Sequence, residues 1–272
     1  MKSVPATNLI TVKPGHKIRL KDVNANDKGD YKTKDEPQAR LAELLERRDE
    51  LQERLYAEAK QSLLIVFQAM DTGGKDGATK RLLEGLNPAG IRVSSFKAPT
   101  KTELGHDFLW RLHTQTPEVG FIGVWNRSHY EDVLIARVHD LVPKKVWYKR
   151  YQQINDFEEM LTENGTTILK FYLHISKDEQ KERLQARLDD PAKHWKFSTG
   201  DLTERKLWDD YQKAYEDALN QCSTDAAPWY IVPANHKWAR DIAIAERVTA
   251  TLEAMKPKYP QITFDPKTII FE

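Results

Sequence analysis

Apolar positions along the chain fall into short runs separated by longer charged, amphipathic stretches, and the two alternate from residue 62 onward. The first run, Ser62–Met70 (SLLIVFQAM), ends in a glycine-rich loop and predicts a buried strand. Similar runs predict strands over Ile91–Phe96, Val119–Asn126, Thr167–Ile175 and Trp229–Pro233. Between them the spacing becomes helical over Ala78–Leu86, closed by Asn87-Pro88, around Glu103–His113, and over Ser128–His139. Helical patterns follow over Lys144–Glu163, closed by Asn164-Gly165, and Lys177–Leu188. A breaker-rich patch at 189–201 (DDPAKHWKFSTGD) interrupts, a helix then runs to about Cys222, and Trp238–Met255 predicts the last one.

Upstream, Pro37–Lys60 is dense in strong helix formers, and Leu41, Leu44, Leu45, Leu51 and Leu55 make an apolar stripe. That stripe suits a surface helix docked by one face, or alternatively a subunit contact. Residues 1–36 are polar without a clear period and predict an extended arm; residues 257–272 form a proline-punctuated tail. Strands alternating with helices over 37–256 predict one three-layer α/β domain, its parallel five-stranded sheet covered on both faces.

Composition narrows the class. A 272-residue chain with 40% hydrophobic and 31% charged residues suits a globular protein rather than a disordered one. Its longest purely apolar stretch, Leu63–Phe67, is too short to span a membrane, so none is expected. The segment MKSVPATNLITVK lacks the apolar core of a secretory signal, and the single cysteine, Cys222, excludes an intramolecular disulfide. Both fit a cytoplasmic protein. With 42 basic and 41 acidic side chains, bulk charge predicts no nucleic-acid partner, and any polyanion must be held by a local patch.

The stretch Gln68–Arg81 (QAMDTGGKDGATKR) carries the clearest chemistry, because it joins a predicted strand to a predicted helix. Gly73, Gly74 and Gly77 let backbone N–H groups turn around phosphate oxygens, the helix N-terminus adds its dipole, and Lys75 reaches the terminal phosphates. Against the pattern GxxxxGK[ST], Ala69 replaces the first glycine, Asp76 replaces the hydroxyl residue, and Thr79 is the nearest hydroxyl after it. Asp71 would be repelled by phosphates unless a cation lay between them, which makes it a Mg²⁺ ligand, with Mn²⁺ as an alternative ion. A second cluster, Asn126–Asp132 (NRSHYED), ends another strand and therefore reaches the same sheet edge. There Arg127 can neutralise a transferring phosphate, and Glu131 or Asp132 can complete a metal or acceptor site. An ordinary polar helix start remains the alternative.

The segments AMDTGGKDGATKR, NRSHYED, ARLDDPAKHWKFSTGD and WYIVPANHKWAR together resemble the polyphosphate kinase 2 family, in one colinear order over residues 35 to 260. The resemblance implies a P-loop kinase fold similar to thymidylate kinase, with a mobile basic helical lid at about 177–200. It also implies Mg²⁺-dependent transfer between inorganic polyphosphate and a nucleotide. Asn126 and Glu131 stand where many members carry Asp and Asn, a combination like that of the class III subgroup, whose acceptors are AMP and ADP. It moves metal ligation from Asn126 toward Asp71, with Glu131 nearby. Guanine nucleotides are left open, and a homodimer or homotetramer is implied.

Within the lid, Arg183 and Arg187 share a helix face, and Lys193 and Lys196 follow. Lys80, Arg81 and Lys97 are candidate polyphosphate anchors; Arg111 is either another anchor or part of a structural ion pair. Trp195 and Phe197 could stack on a base or serve packing. Two rivals stay open: an ATP-dependent nucleotide kinase on the same fold, and a phosphate-binding module without turnover.

Overall fold

The computed structural model describes residues 8–270; residues 1–7 of the expected arm and 271–272 of the expected tail lie outside the described residues. Its centre is β2 (Ser62–Ala69), buried along its whole length. A strand with neighbours on both edges and helices on both faces has no solvent side. That is why SLLIVFQA is an unbroken apolar run rather than an alternating one.

Beside β2 lie β4 (Ile122–Asn126) and β5 (Thr166–His174), both parallel to it, then β3 (Ile91–Ser95) outside β4 and β6 (Trp229–Pro233) outside β5. These are the five expected strands. The sheet nevertheless has six, in the order β1-β6-β5-β2-β4-β3, because Ile10–Val12 (β1) pairs antiparallel with β6. The sixth strand, absent from the expected five, is contributed by the segment expected to be an extended arm. Three residues are too few to show a period, and their partner lies more than two hundred residues away.

One face of β2 presents Leu63, Ile65 and Phe67 to the core shared by α1 (Gln38–Glu58), α2 (Lys75–Leu83) and α9 (Lys237–Met255). The other presents Leu64 and Val66 to Phe157 and Leu161 of α5 (Lys144–Glu163). The stripe on α1 is buried at Leu41, Leu44, Leu51 and Leu55, so it docks within the chain.

Two predicted helices are shorter than their patterns. The segment around Glu103–His113 holds a 3-10 turn and only four α-helical residues, Trp110–His113 (α3). Ser128–His139 divides into a 3-10 turn, His129–Asp132, and α4 (Ile135–Val138). In the second case His129 and Tyr130 are both drawn into the core, which a regular helix start could not do. The lid region comprises α6 (Lys177–Asp189), a 3-10 stretch Pro191–Lys196 and α7 (Thr199–Lys206), followed by α8 (Trp208–Gln221). Among the described residues no helix is long and apolar enough to cross a membrane.

Candidate active site

After β2 the chain goes out to β3 and returns to β4, then crosses to β5 and β6 on the other side. The carboxyl end of β2 is therefore the point where such a sheet opens a crevice. The loop Met70–Gly74 fills its floor and passes into α2, whose first amides, Lys75 to Gly77, have no intrahelical acceptor. Gly74 has a φ of 97°, in the left-handed region, and a Cβ there would come within 2.5 Å of the Arg240 guanidinium. Thr72 and Arg127 are also left-handed, at φ of 60° and 65°. Non-glycine residues adopt that region at a cost, and both border the crevice.

Lys75 turns back over the loop and donates from Nζ to the Ala69 carbonyl at 3.0 Å, which also accepts from the Tyr215 hydroxyl at 2.9 Å. Burial, and then the nearby Arg127, push the Lys75 ammonium below its ordinary pKa, against the pull of Asp71, Glu131 and Asp76. Arg127 stands 3.5 Å from Asp71. Burial opposes its charge, but Glu131 and Asp71 outweigh that and hold it above its usual value. Burial likewise raises Glu131, although Arg127 and Lys75 favour its ionised form. Asn126 donates to Asp76 at 2.6 Å, closing β4 onto α2.

Two cavities meet at this group. The larger, about 620 Å³, runs over the loop from Lys97 at the end of β3 to the lid. Lys75 and Arg127 line its floor, Arg183, Arg187, Lys193 and Lys196 its lid side, and Lys237 and Arg240 the start of α9. Against these nine cations, with Lys97, stand three carboxylates: Asp71, Asp76 and Asp201. The smaller cavity, about 290 Å³, shares Asp71, Lys75, Arg127 and Asp201 and adds Glu131, Glu204, Tyr211 and Tyr215. One side of the Lys75–Arg127 pair is thus strongly basic, and the other acidic and aromatic.

The lid arginines are anchored rather than loose. Arg183 donates to the carbonyls of Thr72 at 3.1 Å and Ala234 at 2.6 Å and pairs with Glu179 at 2.6 Å. Arg187 reaches the Lys196 carbonyl at 3.1 Å and Asp201 at 3.2 Å. Gln180 ties α6 to the Asp71 carbonyl at 3.0 Å.

Of the residues singled out from the sequence, Asp71, Gly73, Gly74, Lys75, Asp76, Gly77, Lys97, Asn126, Arg127, Arg183, Arg187, Lys193 and Lys196 line the larger cavity, and Glu131 lines the smaller. The others lie elsewhere. Arg81 pairs with Glu84 and lines a different cavity, between α1, α2 and α9; Lys80 is exposed outside both crevice cavities. Thr79 is buried, with its hydroxyl unpartnered. Arg111 is buried under Lys97 and donates to its carbonyl at 2.8 Å, which supports that loop from beneath instead of reaching into the crevice. Asp132 is held away by Arg150 at 3.0 Å, and burial raises its pKa to about 6.

Asp201, Lys237, Arg240, Tyr211 and Tyr215 also line the two cavities without having been named individually from the sequence, although Asp201 ends the segment ARLDDPAKHWKFSTGD and Lys237 and Arg240 lie in WYIVPANHKWAR. Arg240 is nearly buried, donates to the Gly74 carbonyl at 3.2 Å and pairs with Asp241 at 2.6 Å. A signal for Lys237 and Arg240 exists, since both follow the carboxyl end of β6, the same sheet edge as the loop.

For a divalent cation, the donors are hard oxygens: Asp71 and Glu131 face one cavity together with Lys75 and Arg127. That set fits Mg²⁺, which takes one or two carboxylates and completes its shell from phosphates and water. Among the described residues no group of three or more His, Cys, Asp or Glu is gathered into a protein cage.

The polyphosphate kinase 2 family model matches residues 31–260. The AMP/ADP-polyphosphate phosphotransferase of Meiothermus ruber is 50% identical over 262 residues, 96% of this chain and 98% of that one. The ADP-polyphosphate phosphotransferase of Rhodopseudomonas palustris is 47% identical over 245 residues, 86% of this chain and 85% of that one. The crystal structure of polyphosphate kinase 2 from Arthrobacter aurescens superposes with a TM-score of 0.90 at 45% identity, covering 97% of each chain. A phosphate loop, a basic crevice above it and matches over most of the chain agree: the protein belongs to the polyphosphate kinase 2 family.

Proposed function

We propose that the chain transfers the terminal phosphoryl group of inorganic polyphosphate to AMP and ADP, giving ADP and ATP, reversibly and with Mg²⁺ or Mn²⁺. The larger cavity carries this reading. Its nine cations against three carboxylates exceed what one nucleotide's phosphates call for and suit a chain with a negative charge on every residue. The names of the two relatives, AMP/ADP- and ADP-polyphosphate phosphotransferase, support the donor and both acceptors.

In the reaction, a terminal phosphate oxygen of the acceptor attacks the end phosphorus of polyphosphate in line. A new P–O bond forms as the bond to the next phosphate breaks, and that electron pair leaves with the shortened polyphosphate. The protein's work is positioning and charge neutralisation. The α2 amides and Lys75 cradle the reacting phosphates, with Arg127 opposite, while Arg183 and Arg187 bring charge from the lid side and help exclude water. Lys97, Lys193, Lys196 and Lys237 hold the phosphates farther along. Asp71, with Glu131 beside it, would hold the divalent cation, which when bound screens these carboxylates from the phosphates and withdraws negative charge.

The test is a donor swap: AMP or ADP with polyphosphate and no ATP. Formation of ADP or ATP supports the proposal. Phosphoryl transfer only when ATP is supplied points to an ordinary nucleotide kinase, and polyphosphate binding without turnover to a binding module.

A further inference from the structure

Beneath the turn that presents Arg127 and Glu131, four polar side chains are buried together. Lys170 on β5 is fully buried, and its ammonium donates to the Glu158 carboxylate at 2.5 Å, the Tyr130 hydroxyl at 2.9 Å and the Cys222 carbonyl at 2.6 Å. Those three contacts use all its protons. On α5, Glu158 accepts through its other oxygen from the Tyr130 hydroxyl at 2.9 Å and bonds His129 Nε2 at 3.0 Å. Glu158, His129 and Tyr130 are each at most 1% exposed. Burial keeps the imidazole uncharged, so Nε2 carries the proton it donates.

The arrangement alternates along the turn. Arg127 and Glu131 face the cavities, while His129 and Tyr130, between them, face the core and share one carboxylate. Ser128 completes the grip by accepting from Gln68 of β2 at 3.1 Å and from the Tyr130 amide at 3.2 Å. Arg127 needs such a grip, because its left-handed φ of 65° persists only where surroundings over-determine it. Cys222, whose carbonyl accepts from Lys170, is the C-cap residue of α8, its amide donating to the Ala218 carbonyl, and α8 brings Tyr211 and Tyr215 to the cavity beside Lys75. The buried pair therefore ties the turn to β5 and to α8 at once.

Replacing such a pair by apolar residues of similar volume is often neutral for stability, so stability alone gives a weak reason for burying it. We propose that Glu158 and Lys170 are positioning residues for phosphoryl transfer, fixing Arg127 and Glu131 from inside the core without touching substrate. This assignment rests on the phosphoryl-transfer reading above.

The experiment is a double-mutant cycle. One arm is Glu158→Gln with Lys170→Met, near-isosteric and free of unbalanced buried charge; the other is Arg127→Ala. Steady-state kinetics with AMP and polyphosphate and thermal unfolding are measured for parent, each arm and the combination. A folded Glu158→Gln/Lys170→Met protein is expected to lose about 10²-fold in kcat, as for a small misplacement of a reacting group, with KM for polyphosphate changed far less. In the Arg127→Ala background the same pair of changes should cost little further. Retained kcat, or an equal loss in both backgrounds, overturns the assignment. Should the double variant fail to fold, Tyr130→Phe, which removes only the bridging hydroxyl, takes its place in the cycle, and the same two results support or overturn the assignment. A parent protein inactive with polyphosphate would instead remove the functional reading itself.

Discussion

Gly73→Ala is the perturbation whose consequence can be worked most directly from the structure. A Cβ at Gly73 would stand 2.5 Å from the Ala69 Cβ and 2.8 Å from the Met70 carbonyl oxygen. That oxygen accepts from the Gly73 amide at 2.9 Å, so backbone and not a flexible side chain must move. Ordinary carbon contacts begin near 3.5 Å, and the loop must therefore open by about 1 Å. Overpacking of that kind costs about 1–3 kcal/mol. At about 2–4 °C per kcal/mol for a chain of this size, that is roughly 2–12 °C in melting temperature. A displacement of about 1 Å in the phosphate cradle also predicts a loss of about 10²-fold in kcat/KM for polyphosphate. Gly77→Ala is the internal control. It is helical with no positive φ, and its Cβ would meet only Arg240 at 3.6 Å, so stability should stay level or rise by about 0.5–1 kcal/mol. Differential scanning fluorimetry with steady-state kinetics reads both. Parent-like activity in Gly73→Ala, or equal destabilisation by both substitutions, would show that the loop tolerates a Cβ at Gly73.

Lys75→Met should lower kcat by on the order of 10³ or more, whereas Lys193→Ala or Lys196→Ala should mainly raise KM for polyphosphate. Because burial holds the folded Lys75 below its unfolded pKa, its charge disfavours folding, and Lys75→Met should melt no lower than the parent in the absence of ligand. His174 has its pKa lowered to about 4 by burial, so the fold holds it neutral while the unfolded chain protonates near 6.5. The stability it contributes is complete above about pH 6.5 and lost as pH falls toward 4, by about 3 kcal/mol in all; urea unfolding between pH 7 and 4.5 should show this fall, and His174→Leu should flatten it. Chelation should abolish transfer, Mg²⁺ should restore it, and Asp71→Asn should raise the Mg²⁺ concentration needed, read as a shift of the metal activation curve.

The sheet and its loop are legible in the sequence because burial on both faces leaves an unmistakable mark: β2 carries no alternation, and glycines with Lys75 follow directly. The position of ligands beyond strand ends then locates Arg127 and Glu131 beside that loop. The same reasoning, carried on to β6, reaches Lys237 and Arg240. What sequence does not show is direction on a short helix. Lys80 and Arg81 are roughly 120–140° round α2 from Lys75, at about 100° per residue, which points them away from the crevice. The turn at His129–Asp132 is opaque for a different reason. Its helical spacing reads like a surface start, and only the tertiary partners Glu158 and Lys170 explain why His129 and Tyr130 turn inward. β1 is hidden because its pairing with β6 is wholly long-range.

Whether the loop after β2 seats the reacting phosphate is decided by a crystal structure of the protein soaked with a short polyphosphate and Mg²⁺. The expected result is a terminal phosphate seated on the α2 amides, with Lys75 Nζ released from the Ala69 carbonyl to contact it and Arg127 on its far side. Polyphosphate bound away from this loop, with Lys75 still donating to Ala69 and no anion beside it, would rule out the loop as the seat of the reacting phosphate.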